Sequence, residues 1–172
     1  MLEAIILVVF PFCMVFAAVS DMLSMRIANT VPLVLLGTFL LAAPITGMPV
    51  EQVGWHLLTG FLVLAVTFVL FAVGGMGGGD AKLLAATALW MGFGEPVLTY
   101  LVMTALFGGV LTIAILAYRA SPWHLVWGHN MFLKNFGKDA KGVPYGIALG
   151  AAGLVAFGDS PLAVWALQRL AA

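Results

Sequence analysis

Charge is what this sequence has least of: 8% of its 172 residues are Asp, Glu, Lys or Arg, against about 25% in an ordinary soluble domain. So low a share excludes a soluble globular protein and a disordered chain, both of which need a solvated polar surface. The 7 basic residues are matched by 7 acidic ones. No basic excess exists to neutralise phosphates, which excludes a nucleic-acid binder. Cysteine is nearly absent too. The single Cys13 lies inside an apolar run, which excludes a disulfide framework and any multi-cysteine metal site. Missing as well is the alternation of apolar and polar residues that marks the strands of a membrane barrel. The opening Met1-Leu2-Glu3 lacks the basic segment of a cleavable signal peptide, so the apolar stretch behind it reads as a first membrane span.

What the chain has is apolar length. It is 63% hydrophobic, with a mean hydropathy of +1.14. Its uncharged runs predict an all-α, polytopic integral membrane protein, a single transmembrane domain over 1–172 with about six helices. The predicted spans cover 4–20, 30–48, 53–73, 81–93, 96–118 and 143–157, the last continuing weakly through 161–170. Pro44 predicts a distortion in the second span. The fourth is short enough to be tilted or re-entrant.

Basic residues orient the bundle. With six spans, the segments 21–29, 74–82 and 119–142 share one side, and they hold Arg26, Lys82, Arg119, Lys134, Lys138 and Lys141. The opposite segments 49–52 and 94–95 hold none, and Arg169 is the exception. The positive-inside rule puts the three basic segments in the cytoplasm and both termini outside. Segment 119–142 also carries Trp123, His124, Trp127 and His129, a pattern that reads as a headgroup-layer segment or as a substrate-docking surface.

Asp21 follows the first span and Asp80 the third. Those two spans run parallel, so both carboxylates emerge on one membrane face. Each has a plain reading: an interfacial anchor for Asp21, and a helix N-cap for Asp80. As a pair they have a chemical one. One ionised carboxylate can take a proton from water while a protonated partner donates to a peptide carbonyl, and like charges in proximity favour sharing one proton. Gly77, Gly78 and Gly79 before Asp80 let backbone approach a substrate strand closely. A phosphate loop is excluded, since Gly79-Asp80-Ala81-Lys82 puts a carboxylate where phosphate would sit.

The segment Ser20-Asp21-Met22-Leu23-Ser24-Met25-Arg26-Ile27-Ala28-Asn29, followed by Gly77-Gly78-Gly79-Asp80-Ala81-Lys82, resembles the type IV prepilin peptidases, intramembrane aspartic proteases of the Gly-x-Gly-Asp class. The later Pro144-Tyr145-Gly146 looks like that family's closing motif. Ala28 stands where the family usually has Pro, and Ile147-Ala148 replaces part of the closing motif, a change expected to be neutral for catalysis. The first connection is short and has no Cys, so the chain resembles the minimal form associated with tight-adherence (Flp-type) pili.

The resemblance implies Asp21 and Asp80 as the catalytic pair. Gly77, Gly78, Gly79, Lys82, Arg26 and Asn29 would bind or position substrate, and neither metal nor cofactor is required. It implies a prepilin or pseudopilin partner with an N-terminal leader and a hydrophobic helix. It also implies residence among the lipids of a bacterial cytoplasmic membrane, with the site facing the cytoplasm.

Two expectations are our own. Asp21 ends a helix, where the dipole disfavours an anion, while Asp80 begins one, where the dipole favours it. Asp80 is therefore expected to be the ionised member. The basic rim argues against recognition of a basic leader by charge attraction and for backbone strand pairing. The competing class is a small transporter or a pilus or secretion assembly subunit, in which the aspartates bind protons or cations. It would place its charges at the bilayer midplane, on broken helices.

Overall fold

The computed structural model describes residues 1–121, 134–137 and 142–171. Among these, every regular element is helical: α1 (Leu2–Ser24), α2 (Thr30–Ile45), α3 (Val50–Ala72), α4 (Gly78–Met91), α5 (Glu95–Ala120), a 3-10 turn at Lys134–Phe136, α6 (Gly146–Phe157) and α7 (Pro161–Ala171). Trp123, His124, Trp127, His129, Lys138 and Lys141 lie outside the described residues.

The expected count of six spans is not met by helix length. Among the described residues, only α1, α3 and α5 are long and apolar enough to cross a membrane, and α6 with α7 makes a fourth if that pair, bent by 47°, is one span. Gly158 and Pro161 set the bend, since Pro161 cannot donate to a continuing helix. Helix α2, stopped after Pro44 by the turn at Gly47, has 16 residues, or about 24 Å. Helix α4 has 14 residues, or about 21 Å, and ends at Gly92.

Helix α4 tolerates its shortness because protein surrounds it. Leu83, Leu84, Ala88, Leu89, Trp90 and Met91 are all buried, and α4 packs against α2, α3, α5, α6 and α7. Two polar side chains tie neighbours to its C-terminal half. Trp90 Nε1 donates to the Leu35 carbonyl of α2 at 2.9 Å, and His56 Nδ1 of α3 donates to the Leu89 carbonyl at 2.7 Å. His56 is thus a satisfied interhelical bond, as expected of a histidine in an apolar span. Around Trp90 the aromatic core closes with Phe10 of α1 stacked on Phe157 of α6 at 4.4 Å and with Phe39 of α2 edge-on.

The exterior is the inverse of a soluble protein. On α5, Leu98, Val102, Leu106, Val110 and Ile113 are exposed at helical spacing, and α1 and α3 carry similar stripes. Facing lipid, such a stripe costs nothing; in water it would drive aggregation. Thr59 and Thr67 of α3 return their hydroxyl protons to the helix's own carbonyls four residues back, which leaves no unpaired donor at those positions.

Small residues let α6 lie close on α1. A Cβ at Gly150 would stand 2.7 Å from the Met14 carbonyl oxygen, and one at Gly153 would stand 2.6 Å from the Met14 sulfur. Gly150 and Gly153 thus form a small-residue ridge on the face that α6 turns to α1.

Candidate active site

Helix α1 runs past the predicted end of its span and places Asp21 in its last turn, buried. Met25 closes the turn with left-handed backbone, φ 54°, its N–H on the Asp21 carbonyl at 2.8 Å. Non-glycine residues enter that region at a cost of about 1–2 kcal/mol. Serine hydroxyls brace the exit from the helix. Ser20 donates to the Arg26 carbonyl at 2.9 Å and Ser24 to the Ser20 carbonyl at 2.7 Å. The chain then turns sharply back into α2.

Asp80 occupies the third position of α4, after the N-cap Gly77 and the first-turn glycines Gly78 and Gly79. From that position a carboxylate can reach back to the N-cap N–H, as Glu does in a capping box. The Asp80 carboxylate does turn back onto the Gly77 backbone N–H. A Cβ at Gly77 would stand 2.7 Å from the Asp80 carboxylate oxygen. The glycines thus leave room for the aspartate itself as well as for any substrate strand.

The two aspartates come together at the basic end of the bundle, within electrostatic reach of one another. Ile27, from the α1–α2 connection, seals the space between their supports. It lies 3.2 Å from where a Gly79 Cβ would stand and 3.0 Å from where a Gly146 Cβ would stand. Lys82 Nζ donates to Asn29 Oδ1 at 2.9 Å, linking α4 to the start of α2. Of the residues singled out from sequence, Asp21, Asp80, Gly77, Gly78, Gly79, Lys82 and Asn29 therefore share this end. Arg26 is exposed there. It contributes its backbone carbonyl, and among the described residues its guanidinium makes no ion pair.

The third support of the site was not singled out. Gly146 opens α6 and donates its N–H to Asp21 Oδ2 at 2.7 Å. It has no room for a side chain, because a Cβ would stand 2.7 Å from Asp21 Cβ and 2.9 Å from Oδ2. Next to it, the Tyr145 ring lies over Gly108 of α5, where any side chain would overlap it. Arg119, read from sequence only as an orienting charge, is a clamp. Its Nε donates to the Phe136 carbonyl at 3.1 Å and its Nη2 to the Gly142 carbonyl at 2.6 Å. Asn135 Nδ2 donates to the carbonyl of Met22, the residue after Asp21, at 2.8 Å. The segment before α6 is thereby held onto α1 and α5. Pro144-Tyr145-Gly146 was the signal that could have marked Gly146; its partner could not be read from the motif.

This geometry alters the expected asymmetry of the pair. Asp21 does end α1, but its carboxylate meets the N-terminal N–H of α6, a positive dipole end, just as Asp80 sits at the positive end of α4. Each carboxylate thus lies at the N-terminal end of a helix. The dipole argument for Asp80 as the ionised member and Asp21 as the protonated one therefore loses its premise. Among the described residues no group of three His, Cys, Asp or Glu side chains comes together.

A model described as the type IV leader peptidase family matches residues 8–117. Comparison with curated proteins and with solved structures found no match. The matched stretch contains Asp21, the glycines and Asp80, and stops short of Gly146.

Proposed function

The chain belongs to the type IV leader peptidase family, and we propose that it is an aspartic-type endopeptidase cutting the bond between the leader and the hydrophobic helix of a prepilin of the Flp type. The observation that carries the proposal is the pairing of Asp21 and Asp80. They come from different helices and meet at one end of the bundle, Asp21 held by the Gly146 N–H and Asp80 in the first turn of its helix beside Gly77.

The pair holds one proton. The ionised carboxylate takes a proton from a water molecule as its oxygen adds to the scissile carbonyl carbon, and the protonated one donates to the carbonyl oxygen. Collapse of the tetrahedral intermediate breaks the C–N bond. The proton taken from water passes to the departing amine, one hydroxyl of the collapsing intermediate returns its proton to the other carboxylate, and the pair again shares one proton. Because each carboxylate lies at a helix N-terminus, either can play either part.

A prepilin presents its cleavage site where an apolar helix leaves the bilayer for the cytoplasm, and the basic end of the bundle is that boundary by the positive-inside rule. Both aspartates stand in terminal turns rather than at mid-helix, which disfavours the transporter reading.

The test is co-expression with an Flp-type prepilin, followed by loss of the leader on a gel. Asp21→Asn and Asp80→Asn are each expected to lower processing by about 10³-fold. Undiminished processing in either variant would overturn the assignment.

A further inference from the structure

One large concavity of the bundle lies away from the aspartates. Helices α2 and α3 flank α4 on two sides, and between them runs a groove of about 570 Å³. Its walls are Leu33 and Leu36 of α2 and Leu57 and Phe61 of α3, and its floor is Ala85, Ala86 and Leu89 of α4. Polar groups enter it at one end only, as the hydrogen-bonded pair Lys82 and Asn29. The wall residues Leu33, Phe61 and Leu57 are exposed, so the groove opens toward the surrounding apolar phase.

Three features define what fits. The floor positions 82, 85, 86 and 89 follow the i, i+3, i+4, i+7 spacing by which one helix face receives another. Two of them are alanine, which permits close helix approach. From Lys82 to Leu89 the floor runs about 10 Å, or two turns of helix. The Lys82–Asn29 pair marks where an apolar occupant must end and a polar one begin. We propose that this groove seats the first two turns of the substrate's hydrophobic helix, with its leader leaving past Lys82. This rests on the peptidase reading above and names how that site receives its substrate.

The placement predicts a register. Asp80 and Lys82 are two residues apart and lie on different faces of α4, since positions i and i+2 do not share a face. A chain leaving the groove at Lys82 must cross the first turn of α4 to reach the aspartates. A helix is about 10 Å wide with its side chains, a distance covered by about three extended residues. The crossing runs past Gly77, which is exposed and presents no side chain. The scissile bond therefore lies about three residues before the first residue seated in the groove, and the crossing segment is extended, not helical.

Cysteine cross-linking reads this directly. Cys13 is the chain's one cysteine, so a Cys13→Ala, Asp80→Asn background accepts single probes: Leu36→Cys and Phe61→Cys in the groove, and Val110→Cys on the lipid-facing side of α5. Each is oxidised in membranes against an Flp-type prepilin with one cysteine in the first two turns of its helix. Groove probes are expected to cross-link at least tenfold more than Val110→Cys. Equal yields, the pattern of a groove filled by lipid, would overturn the proposal. In an otherwise unaltered enzyme, Ala86→Leu should raise KM about tenfold for the full prepilin while leaving kcat, and cleavage of a short leader peptide lacking the helix, unchanged. Equal slowing of both substrates would reduce the groove to a packing feature and overturn it. Preferred cross-linking without cleavage by the unaltered enzyme would sink the peptidase reading while upholding the groove. Cleavage without preferred cross-linking would do the reverse.

Discussion

Replacing Gly146 by alanine tests whether the N-terminus of α6 is part of the catalytic apparatus. The added Cβ would stand 2.7 Å from Asp21 Cβ, 2.9 Å from Oδ2 and 3.0 Å from Ile27 Cδ1. Two carbons rest at about 3.5 Å or more, so something must yield by about 0.8 Å. The α1 backbone is held by its own helix and by the packing of Gly150 on Met14, and Ile27 is wedged against Gly79. The Asp21 side chain is the softest of the three. Turning it away surrenders the 2.7 Å bond from Gly146 and misaims the carboxylate. Overpacking of this kind costs about 1–3 kcal/mol, and a reacting group misplaced by about 1 Å loses about 10²-fold in rate. Gly146→Ala should therefore lower kcat/KM on a prepilin by about 10²-fold, with an unfolding midpoint in detergent only a few degrees below the parent. The control is Gly109→Ala on α5, where nothing lies within 4 Å of the new methyl. It should match the parent in rate. Activity of Gly146→Ala within threefold of the parent, at equal protein level, would refute the support assigned to Gly146.

Other outcomes follow from the same contacts. Trp90→Phe removes the donor to the Leu35 carbonyl and should destabilise the bundle by about 1–3 kcal/mol, read as a lower melting temperature in detergent; an unchanged melt would mean that water or relaxation serves that carbonyl. Arg119→Lys keeps the charge but cannot reach both the Phe136 and Gly142 carbonyls as a guanidinium fork does. It should lower cleavage about tenfold and speed limited proteolysis in 119–142, and proteolysis at the parental rate would count against the clamp. Gly108→Leu collides with Tyr145 and should shift the start of α6, lowering cleavage at least as far as Gly146→Ala; parental activity would show that Tyr145 moves freely.

Much of the site was readable because charge is so rare in this chain. Asp21 and Asp80 stand out against apolar neighbours, and the parity of spans one and three was enough to assign them one face. The glycines before Asp80 also announce themselves, although their use differs in emphasis from the expectation: Gly77 makes room for the Asp80 carboxylate itself. The boundaries of α2 and α4 were harder. Hydropathy continues past Pro44 and through Met91 into Phe93, while the helices stop at the turns of Gly47 and Gly92. An apolar run says that a segment avoids water, not where its hydrogen-bond ladder ends. That is why six spans were expected while, among the described residues, three helices, or four with the bent pair, have the length to cross.

By itself the sequence determined the solvent this protein lives in and the pair of residues worth testing. Both are local properties: hydropathy summed over a window, and a carboxylate too costly to leave in lipid without a purpose. Only the tertiary structure decided how those carboxylates are held. The donor for Asp21 is 125 residues away at the start of another helix, a contact with no counterpart in periodicity or composition. It removed the asymmetry that a reading of each helix alone had assigned to the pair, because a dipole acts through space on whatever charge is packed against its end, whichever helix carries that charge. The groove along α4 has the same origin. No segment encodes it, since it is the gap left where two helices pack on a third.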